Sequence, residues 1–138
     1  RMIKDYTEAA KAYEKVADRY NDQPIAAEAL FKAGQAYLKQ AKTSEYDQSI
    51  SSHAIATFTD FNTLYPENPK APEARKAVSA LKTEQARGSF QIARFYEKRH
   101  MWEGAQIYFN DVLIKDPDSK LAEEARHRIE GIKKRLQK

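Results

Sequence analysis

Three histidines, His53, His100 and His127, are the side chains best suited to ligate a metal or shuttle a proton, and they are widely separated in the chain. No His-Glu-x-x-His pair is present and cysteine is absent, so neither a zinc site nor a thiolate nucleophile can be assembled from sequence neighbours. Surface positions are the expectation for all three. No serine occupies a Gly-x-Ser-x-Gly elbow, and four isolated glycines cannot form a loop that cradles phosphate. Paired carboxylates such as Glu123 and Glu124 fall where a helix begins, where the macrodipole favours negative charge without any catalysis. The expectation is a protein that is not an enzyme, with no cofactor and no metal.

What stands out instead is a set of side chains that helix packing does not demand: Arg87, Arg94, Lys98, Arg99, Glu103 and Tyr108. Cationic and aromatic groups of this kind anchor peptides or partner domains. The 8 Tyr, 6 Phe and 1 Trp would also suit base stacking. Yet Tyr13, Tyr37, Phe58, Tyr96 and Phe109 fall on helix-packing positions, which accounts for most of them, and no nucleic-acid partner is expected. The basic run Lys133, Lys134, Arg135 and Lys138 could meet phosphates or anionic lipid. The expected reading is a solvated helix end whose cations complement the macrodipole.

The elements that position these groups are helical. The chain has 138 residues, 41% apolar and 32% charged, with a formal charge of +4. That is too much packable side chain for disorder, and no apolar run approaches the roughly 20 residues of a membrane span. Four Gly and five Pro among many Ala, Glu, Lys, Arg, Gln and Leu point to an all-α fold. The absence of cysteine excludes disulfide staples and leaves the compartment open. Arg1 stands where an initiator Met would, so the chain is expected to be part of a longer one.

Apolar residues recur at helical spacing: Ala9, Ala12, Tyr13, Val16 and Tyr20, then Ala26, Ala29, Leu30, Ala33 and Tyr37. Asn21 to Pro24 breaks the two, with Pro24 suited to a first helical turn. Ser44 followed by Asp47 resembles a capping box and predicts a third helix through Ile50, Ala54, Ile55, Phe58, Phe61 and Leu64, ending near Tyr65. Beyond Pro66 and Pro69, a fourth helix is predicted from Pro72 to Arg99, interrupted in pattern only by Gly88. A fifth spans about Trp102 to Ile114, stopped by Asp116 and Pro117, and a sixth runs from Leu121 to Leu136.

The pattern repeats internally. Tyr6, Ala9, Tyr13, Val16, Glu28 and Ala29 recur at a shift of 96 as Trp102, Ala105, Phe109, Val112, Glu124 and Ala125. A further copy at a shift of 45 gives Ala54, Phe58, Phe61, Glu73 and Ala74. Leu30, Ala33, Gly34 and Tyr37 likewise answer to Ser89, Ile92, Ala93 and Tyr96 at a shift of 59. Small residues at Gly34 or Ala93 admit a neighbouring helix, and the large Phe58 or Phe109 fills the space beyond. The expected core of the repeats is Tyr13, Gly34, Tyr37, Ala54, Phe58, Ala93, Tyr96, Ala105 and Phe109, in units of about 1–41, 46–86 and 87–138.

This alternation resembles tetratricopeptide repeats, with Pro66 and Pro117 in the position of the closing proline. The resemblance implies an all-α solenoid of helical hairpins, about six helices with an unusually long fourth. The segment from Tyr46, Asp47 and Gln48 through Phe58 to Pro66, the long helix ending Ile92-Ala93-Arg94-Phe95-Tyr96-Glu97-Lys98-Arg99, and Trp102, Ala105, Tyr108 and Pro117 are similar to the middle and C-terminal part of the BamD family, lipoproteins of the outer-membrane β-barrel assembly machinery. His100 stands where that family usually has Gly, which predicts either a strained turn or a left-handed residue there.

That resemblance implies a non-enzymatic protein-binding scaffold at the periplasmic face of the outer membrane. Membrane contact would come only through a lipid anchor outside this sequence. The implied partners are the periplasmic domains of the barrel-forming assembly subunit, other assembly lipoproteins and unfolded outer-membrane proteins. Arg94, Lys98, Arg99, Glu103 and Tyr108 are the expected partner-binding residues. The alternatives are a cell-envelope scaffold resembling the coordinator of Tol proteins and peptidoglycan synthesis, which should lack the long fourth helix, and a nucleic-acid binder using the basic tail.

Overall fold

In a computed structural model, residues 2–44 and 46–137 are described. They form α1 (Met2–Arg19), α2 (Pro24–Thr43), α3 (Gln48–Leu64), α4 (Ala71–Lys98), α5 (Trp102–Lys115) and α6 (Lys120–Leu136), with no strand among the described residues. The chain is all-α, and its six helices are compatible with tetratricopeptide-like hairpins. It divides into two compact units, 1–81 and 82–138. Lys138, part of the basic run, lies outside the described residues.

Helix boundaries follow local chemistry. Pro24 occupies the first turn of α2, where its missing N–H costs no hydrogen bond. The start of α3 differs from the expected capping box. Asp47 is the N-cap, its carboxylate accepting from Ser49 N at 2.9 Å and Ile50 N at 3.3 Å. Ser44 instead ends α2, its hydroxyl donating to Gln40 O at 2.6 Å. Both residues have short polar side chains able to bond local backbone, and the carboxylate is the one placed at the orphan N–H groups of the new helix. Ser119 caps α6, accepting from Ala122 N at 3.0 Å.

Helix α4 runs 28 residues without a break at Gly88, where an added Cβ would meet nothing within 4 Å. It ends in a Schellman motif: Met101 N donates to Tyr96 O at 3.0 Å and His100 N to Glu97 O at 3.0 Å, with His100 at φ 58°. The left-handed residue expected at His100 is thus present. Tyr46, also left-handed at φ 60°, follows α2 and was not foreseen from the residue type.

In the first unit, Phe31, Phe58 and Phe61 pack with Ala27, Ala71 and Ala74, and the ring of Phe31 meets Phe58 edge-on at a centroid distance of 5.6 Å. A second cluster joins Ala10, Ala36, Tyr37, Ala41, Ala54 and Leu81. Gly34 lies under Phe58, whose ring atoms come within 2.6 to 2.9 Å of where a Cβ would be. Helix α1 buries the narrow line of Ala10 and Ala17; Tyr13 is half-buried, with Lys32 Nζ 6.0 Å from its ring centroid. In the second unit, Ala86, Phe90 and Ala93 of α4 pack with Ala105, Phe109 and Val112 of α5 and Ala125, Ile129 and Ile132 of α6. Tyr96 borders that core, half-buried.

Candidate functional site: a cationic and aromatic stripe on α4

Gln91, Arg94, Phe95, Lys98 and Arg99 recur at i, i+3, i+4, i+7 and i+8, which sets them along one face of α4. The core period of the same helix, Ala86, Phe90 and Ala93, runs along the other side, so Gln91, Phe95, Lys98 and Arg99 are exposed while Arg94 sits at the border nearest α6. Together with Phe90 the five residues line an open depression of about 600 Å³. Phe95 is 50% exposed, a large ring left in solvent. The guanidinium of Arg99 lies 3.8 Å from the centre of that ring, a cation–π contact that holds the arginine along the helix.

Arg94 is held from the side. Its Nε is buried and lies 3.3 Å from Glu97 Oε1, off the line of a hydrogen bond. The same carboxylate oxygen accepts from Arg128 Nη1 of α6 at 2.6 Å, and Arg128 Nη2 is 3.4 Å from Glu124 Oε2. One carboxylate is therefore shared between two guanidiniums from different helices.

Of the five expected partner-binding residues, the fold brings Arg94, Lys98 and Arg99 into this depression. Glu103 is exposed on the first turn of α5, outside it. Tyr108 is half-buried and stacked on Tyr96 at 5.7 Å, where it packs against the core of the second unit. Phe95 was missed as a site residue, although its place off the Phe90–Ala93 core period marks it as outward-facing. Arg128 was missed because nothing in sequence joins it to a residue 31 positions earlier.

Elsewhere in the second unit, Ser89 and Lys115 meet at Asp111: the hydroxyl donates to Asp111 Oδ2 at 2.6 Å, and Lys115 Nζ lies 2.7 Å from the same oxygen and 3.3 Å from Ser89 Oγ. A serine beside a lysine can be a nucleophile and its base. Here the serine is 2% exposed and gives its proton to a carboxylate, and the lysine is ion-paired, so the trio joins α4 to α5 instead. Burial pushes the Asp111 carboxyl up, but the hydrogen bonds from Lys115 and Ser89 and the ammonium charge overcome it and hold the group below its ordinary range. In the first unit, burial and the Glu14 carboxylate, which accepts from Tyr37 Oη at 3.0 Å, push the Tyr37 phenol up to about 12.

His53 stacks on Tyr37 at 5.3 Å and His100 on Trp102 at 5.0 Å, and His127 is exposed on α6. Among the described residues no group of three His, Asp or Glu is placed to hold a metal ion. No described helix is long and apolar enough to cross a membrane.

The described residues define an all-α protein with an outward cationic and aromatic stripe on α4. The chain belongs to the outer membrane lipoprotein family YfiO, matched over residues 2–138. A stretch of 55 residues is also 36% identical to the serine/threonine-protein kinase PknD of Protochlamydia amoebophila (strain UWE25), covering 40% of this chain. The chain spans about 6% of the length of that kinase.

Proposed function

We propose that this chain is a non-enzymatic protein-binding scaffold of the outer-membrane β-barrel assembly complex, helping outer-membrane proteins fold and insert. Membership of the outer membrane lipoprotein family supports the compartment. In this reading the full-length protein is lipid-anchored at the periplasmic face of the membrane, and its hairpin units are about 1–41, 46–86 and 87–138. The observation that carries the binding role is the α4 stripe, where Arg94, Lys98 and Arg99 converge with the exposed ring of Phe95. Arginine and aromatic anchors at the edge of a depression are the groups that dominate protein interfaces. The partner in this reading is the periplasmic region of the barrel-forming assembly subunit, with other assembly lipoproteins and unfolded outer-membrane proteins as further clients. In this reading Glu103 and Tyr108, which lie outside the depression, are further contacts to the same subunit.

The test is capture of the purified periplasmic domains of that subunit by immobilised wild-type chain and by Arg94→Glu and Arg99→Glu. Each reversal should weaken capture by roughly tenfold or more, the effect of placing like charges at a charged contact. Unchanged capture by both variants rejects the α4 face. Absence of capture by the wild type, with retention of Tol or peptidoglycan-synthesis proteins instead, rejects the assembly role in favour of an envelope coordinator.

A further inference from the structure

Arg94 is set into the α4 depression by a contest for one carboxylate. Glu97 is three residues further along the same helix, close enough to close onto Arg94 in a two-pronged pair. It does not do so. Its Oε1 is drawn to Arg128 at 2.6 Å, and Arg94 Nε is left at 3.3 Å in poor alignment. Arg128 in turn is steadied on its far side by Glu124, one turn earlier in α6. Glu97 and Arg128 are both largely shielded, with side chains 20% and 29% exposed, so their attraction is less screened than that of a surface pair. Arg94 is the most exposed of the three at 38% and lines the depression.

We propose that Arg128 is a positioning residue: by drawing Glu97 to itself it keeps the Arg94–Glu97 ion pair from closing fully, so that the Arg94 guanidinium stays only partly neutralised and available to a carboxylate-bearing protein partner. The inference rests on the binding role proposed for the α4 face, but its structural half is read without any partner. Loss of Arg128 frees Glu97 to fold back on Arg94, which withdraws both the charge and the geometry from the depression.

Two measurements decide it. In the free chain, the Arg94 Nε–Hε resonance should move when Arg128 is replaced by Met, as Glu97 closes on it, and should keep its position in Arg128→Lys. An unmoved resonance in Arg128→Met overturns the proposal whatever binding shows. In the second measurement, affinity for the periplasmic domains of the barrel-forming subunit should fall by roughly three- to tenfold in Arg128→Met, the scale of coupling between residues in one network. In an Arg94→Ala background the same replacement should cause no further loss. An equal loss in both backgrounds means that Arg128 acts on the fold at large, and the positioning role is wrong. If Arg94→Ala itself binds as the wild type does, the assigned face fails, while the resonance still decides whether Arg128 governs Arg94.

Discussion

Replacing Gly34 by Ala adds one methyl group where the ring of Phe58 closes over α2. In an exposed helix interior the change gains about 0.8–1.0 kcal/mol of helix propensity. The new Cβ would lie 2.6 Å from Phe58 Cε1, 2.8 Å from Cδ1 and 2.9 Å from Cζ. Carbon atoms in contact prefer about 3.5–4.0 Å, so the ring must retreat by roughly 1 Å. Phe58 is 1% exposed and its ring abuts Phe31, which meets Phe61 at 5.3 Å, so a retreat on that side presses on the aromatic cluster. Overpacking of this kind costs about 1–3 kcal/mol, which exceeds or cancels the propensity gain. Gly88→Ala is the control, since its methyl group meets nothing within 4 Å and should stabilise by about 1 kcal/mol. The difference between the two variants cancels propensity and leaves the packing penalty. Urea unfolding followed by helical circular dichroism reads it. Phe58→Leu should relieve part of the penalty, so that Gly34→Ala/Phe58→Leu is less destabilised than the sum of its parts by about 0.5 kcal/mol or more. A Gly34→Ala variant stabilised as much as Gly88→Ala would refute the reasoning.

Three other outcomes are expected. The folded-state carboxyl of Asp111 is held below its unfolded value, so its contribution to stability is present above about pH 4 and is lost as pH falls through the lower folded value. Asp111→Asn should therefore flatten the acid limb of a stability–pH profile, and an unchanged limb counts against the network with Lys115 and Ser89. Tyr37 is the opposite case: its phenol, raised from 10.0 to about 12, favours folding below pH 10 and loses that contribution between those values. Urea midpoints at pH 9 and 11 should drop less in Tyr37→Phe than in the wild type. Finally, His100→Gly should raise the unfolding midpoint, because a non-glycine residue at φ 58° costs about 1–2 kcal/mol, set against loss of the stack on Trp102. A clear drop would mean that the stack outweighs the backbone strain.

The helices were legible where periodicity and punctuation agreed. Pro24, Pro66, Asp116 and Pro117 bracket elements whose ends the structure places within a residue or two of the sequence expectation. The left-handed turn at His100 could be read because a family resemblance pointed to it, and its Schellman bonds supply the reason. The choice between Ser44 and Asp47 as cap could not be read, since either can bond local backbone and the outcome depends on where α2 stops. Within the α4 stripe, residues at i, i+4 and i+5 were visible because helical spacing is local. The bond from Arg128 to Glu97 is made across two helices, and no local rule links those positions.

The stacked pair of Arg99 and Phe95 has a consequence for the thermodynamics of recognition. A free arginine gives up up to about 2 kcal/mol of rotamer freedom when it is immobilised. On α4 part of that loss has already occurred during folding, with the guanidinium held 3.8 Å from the centre of the Phe95 ring. On the binding role proposed for this face, a docking partner would meet a preorganised cation, so more of the contact energy would survive as residence time, and replacing Phe95 by Ala should shorten the lifetime of the complex even though the charge is untouched.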